Sequence, residues 1–127
     1  MNDRLRFRVW DKRLNRYLGE YDPIQMIMSN GNLAYLDDYG MKFYAVEQCT
    51  GLKDRNGRLI YEGDIVKIPD DWETYGFLAG AIREVIFNNG GFRIKPQFNE
   101  NSRGNWLEDT EEFEVIGNIH KNKELLK

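Results

Sequence analysis

The feature that most constrains this chain is its punctuation. Turn-forming clusters recur at short intervals, at Asn56-Gly57, Glu62-Gly63-Asp64 and Asn88-Asn89-Gly90-Gly91, and the apolar runs between them are only strand-length. Globular helices need about ten residues or more, whereas strands are complete in about four to eight. The expectation is therefore a mainly β fold, a bent barrel or sandwich with at most short helical segments.

The eighteen residues TGLKDRNGRLIYEGDIVK, from Thr50 to Lys67, show this most densely. Asn56-Gly57 suits a two-residue turn in which both central residues take positive φ, and Gly57 alternatively suits a bulged, longer loop. Asp54 is placed to accept hydrogen bonds from the backbone ahead of it. At Glu62-Gly63-Asp64 the chain bends again, with Gly63 free to adopt a conformation that a β-carbon disfavours. A strand then leaves, Val66 and Ile68 facing one side and Ile65 and Lys67 the other. A phosphate-cradling loop would lead into a helix, and this segment leads into a strand. Gly51, Asp54, Asn56, Gly57, Glu62, Gly63 and Asp64 thus read as turn architecture rather than ligand contacts.

The rest of the chain follows the same logic. Leu5, Phe7 and Val9 alternate with Arg4, Arg6, Arg8 and Trp10, giving a first strand one apolar face and one basic face tipped by an aromatic. DKRLNR then reads as a turn leading to Tyr17 and Leu18. Asp22-Pro23 suits a helix start, while Ser29-Asn30-Gly31-Asn32 suits a hairpin turn between Ile24–Met28 and Leu33–Leu36; strands are preferred there. FYAVEQC (43–49) and AIREVIF (81–87) read as further strands, the second turning through Asn88-Asn89-Gly90-Gly91 into Phe92-Arg93-Ile94. Pro69 opens a polar loop, DDWETYG (70–76), which carries Trp72 and Tyr75 and is expected to be exposed. Phe113, Val115 and Ile119 suggest a last strand, followed by a short tail over 122–126 with one or two helical turns.

With 127 residues the chain is the size of one domain, 1–127, and 41% hydrophobic content argues against disorder. A single cysteine, Cys49, excludes an internal disulfide, and with no signal peptide or apolar run of membrane length the expectation is a soluble protein of a reducing cytoplasm, without membrane contact. The net charge of −3 argues against coating nucleic acid through the overall field. The charge is nevertheless polarised: Arg4, Arg6, Arg8, Lys12, Arg13 and Arg16 against Asp3 and Asp11 leave the first sixteen residues at +4, and five acids lie between Glu108 and Glu114.

TGLKDRNGRLIYEGDIVK resembles the hallmark segment of the YopX-like family of phages and prophages. Phe7-Arg8-Val9-Trp10-Asp11 is similar to that family's first strand, and EVIGNI (114–119) with 122–126 to its ending. Cys49 stands where an aromatic is common, and Lys123 where proline is frequent. The resemblance implies a compact strand-rich domain of phage or prophage origin, in the cytoplasm of a host cell; it implies no particular activity.

The residues admit three functions. The first is a non-catalytic accessory protein binding a host or phage protein through Trp72 and Tyr75, since interfaces favour aromatic side chains. The second is a nucleic-acid-binding barrel using Arg4, Arg6, Arg8 and Trp10, because arginine pairs with phosphate and an aromatic stacks a base. Its arginines have an alternative use, pairing within the sheet with acids such as Glu111, Glu112 and Glu114. The third is a metal-dependent hydrolase using Glu111 and Glu112, for which no ligand spacing is present. His120 is the one histidine, and Ser29 and Ser102 lack a nucleophile-elbow pattern, so no catalytic residue, metal ligand or cofactor is assigned. Edge strands in so small a sheet would allow self-association.

Overall fold

The computed structural model describes residues 6–19, 43–73, 76–96 and 104–126. The chain divides into two compact units, Met1–Gly51 and Leu52–Lys127. The alternatives for 22–36 lie outside the described residues. What is described is mainly strand, as the turn punctuation requires, with three short 3-10 turns.

In the first unit, β1 (Phe7–Asp11) pairs with β2 (Arg16–Tyr17) on one side and with β3 (Tyr44–Lys53) on the other, both antiparallel. Asp11 makes the β1–β2 turn: its Oδ1 accepts the amides of Arg13 (2.8 Å) and Leu14 (3.1 Å), and Asn15 closes the loop at φ 56°. Val9 and Leu18 form a small apolar cluster on which Tyr44 and Val46 pack.

β3 crosses the division of the chain. Within the second unit follow β4 (Leu59–Tyr61), β5 (Asp64–Lys67), β6 (Ile82–Asn88), β7 (Gly91–Ile94), β8 (Asn105–Trp106) and β9 (Glu114–Asn118). Five of them make an antiparallel sheet in the order β8-β7-β6-β5-β9, with a register shift between Ile65 and Val66 against β9. Such an irregularity adds local twist. The β6–β7 hairpin turns on Asn89 (φ 46°) and Gly90 (φ 86°), the two positive φ values its sequence predicts. The core gathers Val66, Val85 and Ile94 of this sheet with Ile60 of β4 and with Ile68 and Phe113, which flank β5 and β9.

The β5–β6 connection corrects one expectation. Residues 69–73 do not form an exposed aromatic loop, because Trp72 is 3% exposed and sits in the core, edge-on to Phe113 at 5.1 Å. The loop is closed at its base by Ile68 N–H to Ala81 O (2.9 Å) and Gly80 N–H to Pro69 O (3.0 Å), so its ends meet and its apolar side chains, Trp72 and Leu78, fold under it. Polarity of the flanking residues concealed this, since a tryptophan buries more apolar area than its acidic neighbours forfeit. Tyr75 lies outside the described residues. After β9, the Asn118 and Asn122 side chains hold backbone amides and start the final 3-10 turn, Lys123–Leu126, which packs against β6.

Candidate functional site

The hallmark segment acts as a joint. Asp54 is buried, and its Oδ1 accepts the amides of Asn56 and Arg58 at 2.9 Å while its Oδ2 accepts that of Val115 at 3.0 Å. Gly57 takes φ 78° and its amide bonds Asp54 O, whereas Asn56 stays at negative φ, so the bulged longer loop is the one formed. Arg55 N–H reaches Phe113 O (2.8 Å) and the Thr110 hydroxyl reaches Lys53 O (2.9 Å). Together these bonds fasten the loop along the start of β9. At the second bend Asp64 Oδ2 accepts the Tyr61 amide (2.8 Å), and Gly63, at φ 88°, bonds Val85 on one side and Ile119 on the other. Gly51 lies inside β3 rather than in a turn, although its φ is positive, 79°, because the ladder continues through it; Glu62 lies in the turn between β4 and β5.

At Arg8 and Trp10 the basic strand face is a closed network. Arg8 Nε donates to Glu47 Oε1 at 2.8 Å, its guanidinium lies over the Tyr17 ring at 4.3 Å, and the Tyr17 hydroxyl donates to the same Glu47 oxygen. Glu47 stands directly opposite Arg8 across the β1–β3 ladder, so the acid that neutralises Arg8 comes from the adjacent strand rather than from 111–114. Trp10 is 2% exposed and packs edge-on against Tyr17 at 4.8 Å, which corrects the expectation of an aromatic open to a stacking base. Arg6 is exposed ahead of β1, and Arg4 lies outside the described residues.

The acids near the end of the chain line an open groove of about 510 Å³ with the hallmark segment: Glu112, Glu114, Asp70 and Asp71 face Arg55 and Lys67. Glu111 is exposed. Among the described residues no three His, Cys, Asp or Glu side chains come together as a metal would need, and no helix is long and apolar enough to cross a membrane.

Sequence reasoning missed a cluster at the other edge of the sheet. Trp106, on the two-residue β8, is half-exposed and lies over both Gly91 and Arg93 of β7: a Cβ on Gly91 would run into the indole, and the Arg93 guanidinium carbon is 3.7 Å from its ring centroid. Arg93 itself is buried. Among the described residues Phe77 and Phe87 are the other exposed aromatics. A strand of two residues has no periodicity to read, which is why GNWLED gave no strand signal.

With this geometry in hand, comparison with known proteins decides the family. The model of the YopX protein family matches residues 6–127, from β1 through the final turn. The chain belongs to the YopX family. Its fold is similar to the crystal structure of protein EF1440 from Enterococcus faecalis, at 27% identity and a TM-score of 0.58, covering 96% of this chain and 97% of that one. No curated protein matches. In this YopX-family chain Asp54, Gly57, Gly63 and Asp64 thus hold turns and join strands.

Proposed function

We propose that this YopX-family chain is a non-catalytic accessory protein of phage or prophage origin that binds another protein. One observation carries the reading: Phe77, Phe87 and Trp106 remain 76%, 48% and 50% exposed in a chain that has buried Trp10 and Trp72. Single exposed apolar residues are ordinary. A tryptophan and two phenylalanines left at the surface of one unit are the residue types that anchor protein interfaces, where rigid aromatic area is desolvated with little loss of side-chain freedom. Binding is then by surface complementarity, and the anchors are Trp106, Phe77 and Phe87 in place of Trp72.

The test is affinity capture from a nuclease-treated bacterial lysate at moderate salt, comparing wild type with Trp106→Ala and Phe77→Ala. A discrete protein retained by wild type and lost from either variant is the expected result. Retention by both variants, or loss of all captured material on nuclease treatment alone, would overturn it. The latter outcome would move the reading to nucleic acid and to Arg6, the described arginine of the basic strand that stands exposed.

A further inference from the structure

Arg93 is a buried cation to which no described residue supplies a counter-charge. It is 8% exposed; one terminal nitrogen, Nη1, donates to Gly104 O at 3.1 Å, and Nε is buried with no hydrogen-bond acceptor. A desolvated guanidinium ordinarily has a carboxylate partner, because an uncompensated buried charge is costly. The chain has 21 Asp and Glu to draw on. It places Glu47 on Arg8, Asp11 on Arg13 and, two residues beyond Arg93, Glu84 on Lys95. Among the described residues none is placed on Arg93. With Nη1 committed to Gly104, the edge of the guanidinium formed by Nε and Nη2 is the side left for a planar oxyanion, the geometry in which arginine binds carboxylate through two parallel bonds.

What lies over this guanidinium is movable. The Trp106 ring is seated on bare backbone at Gly91 and on the guanidinium face, at the outer edge of the sheet, and half of it is in solvent. A change of side-chain rotamer would move it without altering the strand order.

We propose that Arg93 is an oxyanion-accepting site covered by Trp106, and that its ligand is a carboxylate of an acidic segment in the partner protein. The carboxylate takes N–H bonds from Nε and Nη2 as Trp106 turns aside, and the displaced indole packs on apolar residues of the partner outside the acidic segment, which the Glu peptide lacks. Only the source of the carboxylate rests on the protein-binding reading; the site itself is open to small probes.

The experiment is a titration of the isotope-labelled full chain, observed by NMR at the Arg93 Nε–H and the three indole N–H groups. The probes are the blocked peptide acetyl-Gly-Glu-Glu-Glu-Gly-amide, its Gln counterpart, and inorganic phosphate. Saturable shifts of Arg93 and Trp106 with the Glu peptide are expected, with none for the Gln peptide. Arg93→Gln should weaken binding by about tenfold or more, the loss of one charge-assisted pair, while the Trp10 and Trp72 indole signals report an intact fold. Should that variant not fold, Trp106→Ala supplies the reading, since uncovering the guanidinium should tighten binding of the Glu peptide. Unchanged affinity there would overturn the covering role. Shifts with phosphate alone would overturn the acidic-peptide assignment, and no shift with any probe would overturn the site. In that last case a captured partner that still depends on Trp106 would leave the protein-binding reading standing.

Discussion

Asp54 joins two stretches of chain that are sixty-one residues apart, since the same carboxylate holds its own loop and the amide of Val115. Replacing it by alanine leaves three backbone donors without their acceptor, and the expected cost is about 3 kcal/mol by urea unfolding, from typical losses on breaking hydrogen bonds to a charged group. Burial pushes this carboxyl up, but the amides of Val115, Arg58 and Asn56, with the Arg58 charge, outweigh that effect and hold it below its ordinary 3.8. A depressed folded-state value means that the stabilisation is fully present above 3.8 and is lost as pH falls through the folded value. The stability gap between wild type and Asp54→Asn should therefore be constant at neutral pH and shrink in acid; a gap independent of pH down to unfolding would sink the assignment. At Gly91 the neighbour of a new Cβ is the indole of Trp106, a side chain that can turn away. Gly91→Ala should thus shift Trp106 emission with modest loss of stability. Gly104→Ala should cost clearly more, because its φ is 86° and the atom it would meet is the backbone carbonyl of Ile94.

Elements differ in how far sequence alone foretells them. The β6–β7 hairpin was legible because two-residue turns demand positive φ at both positions, and Asn89-Gly90 is among the pairs that supply it most readily. β3, β5 and β9 were legible from their apolar and β-branched runs. β8 was not, being held by its ladder to β7 and the weight of Trp106 rather than by any pattern of its own. The β5–β6 connection misled: acidic and glycine neighbours around Trp72 signal a solvated loop, while its closed base and the edge-on contact with Phe113 make it a cover for the core. Trp72→Ala is accordingly expected to cost about 3–5 kcal/mol, the range for emptying a buried aromatic site. An exposed loop tryptophan would cost less than about 0.5 kcal/mol, so one denaturation curve separates the two placements.

Across the whole molecule, the three tryptophans divide into two buried and one half-exposed. Acrylamide quenching should resolve one accessible component over a protected remainder, and Trp106→Phe should remove the accessible one; equal quenching of all emission would contradict the placement. The candidate site shows the same division between local and long-range information. Asp54, Gly57 and Gly63 lie at chain reversals, yet nothing in TGLKDRNGRLIYEGDIVK says that Asp54 reaches Val115. The arginines of β1 invited a nucleic-acid reading that Glu47 answers for Arg8, and Arg93 drew no notice because its neighbours in sequence are strand-like and apolar. The amino-acid sequence by itself determined the β class, the places where the chain reverses and the family, because turn preference and two-residue periodicity are properties of a few adjacent residues. Only the tertiary structure decided which tryptophan stays in solvent and that Arg93 is buried with no described acid on it, because burial and charge pairing depend on residues brought together from distant parts of the chain.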